Sequence, residues 1–194
     1  MSEGKTKEAQ DQSQIDDYKE RGPFTFGPWT SHIWRSNPRH MTFLMACYKF
    51  IAKMLQGRDA VPRYAHEGEA RARFAVHDVC KGGVANSEFD AAHSLDVIEH
   101  VPANVEGLFM RNLTLSLKNQ GVCLIGTPNI TAEQYASPAS KEGHINLKSA
   151  ATLATLVGEH FHNVFNFSMN DEVVHTGFAP MGHYLFCLGD SVKC

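Results

Sequence analysis

Apolar and polar positions change their rhythm several times along this chain, and each change marks an element. Residues 1–22 are almost wholly polar, dominated by Lys, Glu, Gln, Asp and Ser. Such a stretch buries too little apolar surface to offset its ordering entropy, which predicts a disordered tail or a short solvated helix near Gln14–Glu20. Residues 23–34 are rich in aromatic side chains and broken by Gly and Pro, the pattern of an irregular arm laid over a domain or a pocket. A helical period follows. Asn37 reads as the N-cap, Pro38 as the first helical residue, and Phe43, Leu44, Cys47, Phe50, Ile51, Met54 and Leu55 form one apolar stripe. Gly57 is placed to end it.

Beyond the helix, Ala60-Val61 begins like a strand but meets Pro62, which lacks the donor that a central strand needs. Residues 62–72 read as a linker or a short charged helix. From residue 73 an α/β alternation sets in. Arg73–Val79 and Phe89–Leu95 are strand candidates. Val105, Leu108, Phe109, Leu113 and Leu117 make a helix closed by Gly121. Val122–Ile125 is a continuous apolar run, as in a buried parallel strand. Ser149 caps a helix carrying Leu153, Leu156, Val157 and Phe161. Val164–Met169 and His183–Leu188 complete the set as strands. This divides the chain into a polar tail (1–22), an aromatic arm with its amphipathic helix (23–61), a linker (62–72) and an α/β domain (73–190).

Composition narrows the possibilities without choosing among them. A length of 194 residues, 43% hydrophobic and 20% charged, suits one globular domain with an extension. A formal net charge of −3 argues against a dedicated binder of nucleic acid or of a membrane surface. The polar N-terminus has no secretory signal pattern, and the five cysteines are odd in number and unpaired in spacing. A reducing, cytoplasmic setting is expected.

The run Phe89–Val101, with Ser94-Leu95-Asp96-Val97-Ile98-Glu99-His100-Val101 at its end, and the later run Gly121–Asn129 resemble the fourth and fifth strands of class I S-adenosylmethionine-dependent methyltransferases. Asp96–Val101 is similar to the "EHV" signature of the small-molecule, ubiquinone-biosynthesis-like subgroup. Gly143-His144-Ile145-Asn146-Leu147-Lys148-Ser149 resembles that group's loop near the acceptor site. The resemblance implies a Rossmann-like α/β sheet, S-adenosylmethionine as cofactor and methyl transfer to a small-molecule acceptor. It implies that Asp78 contacts adenine with the Val79 N–H beside it, and that Ser94, Leu95 and Asp96 line the methionine side of the cofactor. His100 and His144 become candidates for the general base, since an imidazole titrates near working pH. Each has a plain structural reading as well: Asp78 as a strand-end cap, Glu99-His100 as a helix-start pair, His144 as a loop residue.

One part of the family pattern has no counterpart. The first strand of these enzymes ends in an acid and a glycine-rich turn, and the second in an acid that binds the ribose. Here eleven residues separate Val61 from Arg73, whereas a strand–helix–strand unit needs about 30. The expected fold is therefore a truncated Rossmann-like methyltransferase sheet without its first two strands, behind an N-terminal helical arm. A sheet so shortened gains an unpaired edge, which invites pairing with a second copy. A catalytically inactive subunit, acting through homo-oligomer or partner contacts, is the competing functional reading. A metal site is not expected: His160, His162, His175 and His183, with Asp171 and Glu172, show none of the spacings that mark a zinc site.

Overall fold

The computed structural model describes residues 12, 15–16, 18–20, 22, 28–58, 60–61, 77–84 and 87–193. The rest of the tail, the arm before residue 28, the linker and residues 73–76, for which the sequence predicts tail, arm, linker and strand, lie outside the described residues. The chain divides into two units, Met1–Thr42 and Phe43–Cys194. In the first, Ile15, Asp16, Tyr18, Lys19 and Glu20 are helical. Helix α1 spans Pro28–Ser36, so the later part of the expected irregular arm is helical instead. A proline at the first helical position presets φ, and no Gly or Pro interrupts the eight residues after it. Helix α2, Pro38–Met54, begins as the sequence reading expects. The Asn37 side chain accepts from the His40 N–H at 3.1 Å, and Gly57 beyond the end sits at a left-handed φ of 77°.

The second unit is a mixed α/β domain around one six-stranded sheet. Its strands are β1 (Ala60–Val61), β2 (Phe89–Leu95), β3 (Leu117–Pro128), β4 (Phe161–Asn170), β5 (Val173–His175) and β6 (Tyr184–Val192). The order across the sheet is β1-β2-β3-β6-β4-β5. Strands β1, β2 and β3 are parallel, whereas β6 runs antiparallel between β3 and β4, and β5 antiparallel to β4. Between them lie helices α3 (Glu106–Leu115), α4 (Pro138–Gly143) and α5 (Ala150–His160).

Strand alternation sends neighbouring side chains into two separate cores. Ala92, Cys123, Ile125, Leu185 and Cys187 meet Phe109, Met110 and Leu113 of α3 and Leu153, Leu156 and Val157 of α5. Ala91, Val122, Leu124, Tyr184 and Phe186 face the other way, onto Cys47, Ile51 and Leu55 of α2 and the turn after it. The domain is thus layered helix, sheet, helix.

Three expectations are corrected. The edge next to β2 is held by β1, through Ala60 opposite Ala91 and Val61 opposite Ala92, so a first strand exists, cut to two residues. Residues 77–80 do not continue a strand. The Asp78 carboxylate accepts from the Cys80 N–H at 3.0 Å and its carbonyl from the Lys81 N–H at 2.9 Å, local turn bonding that outcompetes a ladder. Finally, α3 stops at Leu115 rather than running to Gly121. Ser116 turns its hydroxyl back to the Asn112 carbonyl and accepts from the Val84 N–H, and Leu117 is already strand, opposite Phe89.

Candidate functional site

The carboxyl ends of β2 and β3 and the start of β6 meet at one end of the sheet, where open α/β sheets bind ligands. Strand β2 ends at Leu95, and Asp96 takes a left-handed φ of 52°. That turn leads into a short 3-10 helix, Ile98–His100. Ile98 packs fully into the core, so its neighbour Glu99 is drawn inside as well.

Glu99 is completely buried. One oxygen, Oε2, accepts from the Thr127 hydroxyl at 3.0 Å at the end of β3. The other, Oε1, has no hydrogen-bond partner. Burial pushes the Glu99 carboxyl up to about 6, with the Asp96 carboxylate adding to the shift. An orphaned oxygen on a buried carboxylate needs a partner, because an unmet acceptor there carries the full desolvation penalty.

Two imidazoles supply the surroundings. His100 donates from Nδ1 to the Gly143 carbonyl at 2.7 Å, which leaves Nε2 with a free lone pair when the ring is neutral. The His144 ring lies edge-on to it, centroids 5.1 Å apart. Burial and the neighbouring His100 hold His144 below the ordinary imidazole range. One donor atom each from Glu99, His100 and His144 falls within 4.8 Å of the others. A carboxylate with two neutral imidazoles is a donor set suited to divalent zinc, cobalt or manganese. The expectation of no metal site rests on spacing, and His100 and His144 are 44 positions apart, outside the reach of a spacing rule. Among the described residues, no comparable group includes the C-terminal histidines.

Tyr184 roofs the same end of the sheet. Its ring stacks edge-on against Phe43 and Phe186. Burial, with the Asp96 carboxylate close by, raises the titration of its hydroxyl well above normal. Gly126 beneath it has no room for a side chain, since a Cβ would overlap a Leu95 methyl and lie 2.9 Å from the Tyr184 hydroxyl.

The residues expected to hold the cofactor are dispersed. Ser94 is buried at the end of β2, Leu95 half-buried beside it, and Asp96 exposed at the turn, its charge felt by Glu99, Tyr184 and Cys47. Asp78 is exposed and paired with Lys81 at 3.0 Å. The Val79 carbonyl accepts from the Asn112 amide at 2.6 Å, which ties that segment to the part of α3 nearest the start of β3, away from Glu99. The Asp78 carboxylate is engaged by its own turn.

No protein-family model and no curated protein matches the chain. Solved structures similar to it include S-adenosylmethionine-dependent methyltransferases. One from Thermotoga maritima shares 15% identity at a TM-score of 0.48, over 59% of this chain and 61% of its own. A Burkholderia thailandensis 1,6-didemethyltoxoflavin-N1-methyltransferase, solved with its substrate and S-adenosylhomocysteine, shares 15% at 0.46, over 75% of this chain and 56% of its own. An N-methyltransferase from Bradyrhizobium japonicum, also with S-adenosylhomocysteine, shares 16% at 0.42, over 60% and 53%. This chain spans less than two thirds of each. Among its described residues no helix is long and apolar enough to cross a membrane.

Proposed function

We propose that this chain is a methyltransferase-like binding protein that keeps the acceptor half of the site. Glu99, His100 and His144 hold a divalent cation there, next to a small molecule that carries an oxygen ligand. The observation that supports this most is the fully buried Glu99 carboxylate, whose Oε1 has no partner and which stands beside two imidazoles. A cation bound there would polarise the ligand oxygen as a Lewis acid. The chain's own residues prepare the place. Thr127 orients the carboxylate, the Gly143 carbonyl fixes the His100 tautomer, and burial with the neighbouring His100 lowers the His144 pKa, which favours a free lone pair. Isothermal titration with cobalt chloride tests the reading. Micromolar binding that is lost in Glu99→Gln supports it, and no heat at millimolar cobalt overturns it.

Methyl transfer from S-adenosylmethionine to a small-molecule acceptor is the second reading. Ser94, Leu95 and Asp96 reach the same end of the sheet as His100 and His144, which favours it. In that case one of the two imidazoles takes the acceptor's proton. Titration with S-adenosylhomocysteine separates the readings: micromolar affinity selects the enzyme, and silence at millimolar ligand leaves the binding protein.

A further inference from the structure

The loop that carries His144 leads a long way from the sheet. Between Ile130 and Ser149 it has only a 3-10 helix and the six-residue α4, and it exposes Tyr135 and Ile145. The Gly143 carbonyl, which accepts from His100 Nδ1 at 2.7 Å, is one tie between this loop and the site. Three polar side chains that no functional reading has used lie just behind it. Glu106, in the first turn of α3, accepts through Oε2 from both the Asn146 amide and the Lys148 ammonium, each at 2.5 Å. Lys148 also donates to Asn146 Oδ1 at 2.8 Å. The three side chains close a ring. Asn146 and Lys148 are buried, with 9% and 7% of their surface exposed.

The ring is stitched directly to the candidate cation site. The Asn146 N–H donates to the Glu99 carbonyl at 2.9 Å, and its amide to the Val101 carbonyl at 2.8 Å. Lys148 anchors the other side, where its carbonyl accepts from the Ile130 N–H at 2.9 Å. We infer that the Glu106–Asn146–Lys148 ring is the positioning device that fixes the register of this loop and so sets His144 opposite Glu99 and His100. Sliding the loop by one residue would bring Ile145 or Leu147 to the Glu106 carboxylate and strand the Lys148 ammonium in the interior, unpaired, which is far costlier than losing one ordinary hydrogen bond. The ring thus has one register, and His144, two residues before Asn146, has one place. None of the three touches the donors' lone pairs. They act through the loop, as outer partners of ligands commonly do.

The inference rests on the cation reading for its effect on affinity, and on backbone geometry alone for its effect on the loop, so two measurements keep them apart. The variants are Glu106→Gln and, because that change leaves a buried ammonium unpaired and can unfold the chain, the double replacement Glu106→Leu/Lys148→Met, which removes both charges. Hydrogen exchange at the Asn146 amide reads the loop without any ion. At least a 10-fold faster exchange in the folded double variant is expected, and an unchanged rate overturns the ring as the holder of the loop. Cobalt titration reads the site: affinity falls about 10- to 100-fold in the double variant, the range for loss of such outer partners. Adding His144→Ala to that variant costs little more, because the imidazole has already been released. Affinity equal to that of the unaltered chain overturns the positioning role. If the unaltered chain itself fails to bind cobalt, the cation reading falls, and the exchange rate still decides the ring.

Discussion

Glu99→Gln isolates the burden that a buried carboxylate places on this fold. Burial moves its carboxyl from an ordinary 4.5 to about 6. The difference of about 1.5 units corresponds to roughly 2 kcal/mol at about 1.4 kcal/mol per unit. Because the folded state holds the proton more tightly, the contribution is complete below pH of about 4.5 and is lost as the pH rises through about 6. Thermal melts in EDTA across that window should therefore show the unaltered chain losing about 2 kcal/mol that Glu99→Gln does not lose. At about 2–4 °C per kcal/mol for a domain of this size, the two melting curves converge or cross by roughly 4–8 °C. Any fixed cost of the new amide cancels, since only the difference in slope is read. Above pH of about 6 a bound cation should return the lost stability to the unaltered chain alone, by about 2.7 kcal/mol at a hundredfold excess over the dissociation constant. Parallel melting profiles from pH 4.5 to 7.5 would refute the reasoning, because they would mean that Glu99 titrates as an exposed carboxyl does.

Gly126→Ala should cost about 1–3 kcal/mol in urea unfolding, since the new Cβ has Leu95 and Tyr184 in its way; a neutral result would mean that the roof over the site is loose. Ser149→Ala removes a capping box in which Ser149 accepts from the Thr152 N–H at 3.1 Å, and should lower the free energy of urea unfolding by about 1 kcal/mol while leaving cobalt binding intact. Among the described residues strand β1 pairs with β2 at Ala91 and Ala92, and a second copy of the chain is proposed to use that edge. Light scattering behind a sizing column should then report a dimer, and a monodisperse monomer at high concentration would count against it.

Local signals made most of this architecture legible in advance. Asn37 and Ser149 cap their helices as expected because a short polar side chain meets its own helix's N–H groups, a bond that needs no distant partner. Val122–Ile125 reads as a buried strand because both its faces are covered, by α2 on one side and α3 with α5 on the other. The failures share the opposite cause. Ala60 and Val61 begin like a strand but meet Pro62 in the sequence, and pairing with β2 gives them their place. Residues 77–80 have strand-forming neighbours, yet Asp78 and Lys81 close a turn. At the site, His100 and His144 stand out as residue types suited to chemistry, but their meeting depends on the Gly143 carbonyl and the loop behind it. The burial of Glu99 goes against the habit of carboxylates and follows from the packing of Ile98 beside it. The ring of Glu106, Asn146 and Lys148 joins residues 40 and more positions apart, beyond the reach of any local pattern.

The most direct measurement is a cobalt(II) titration of the full chain, followed both by heat and by visible absorption, alongside Glu99→Gln and His144→Ala. The grouping of Glu99, His100 and His144 predicts one site per chain with micromolar affinity, an absorption band typical of imidazole and carboxylate ligands, and at least a 10-fold loss in either variant, since each removes one of the three protein ligands. Binding that is absent, or that is unchanged in both variants, would contradict it.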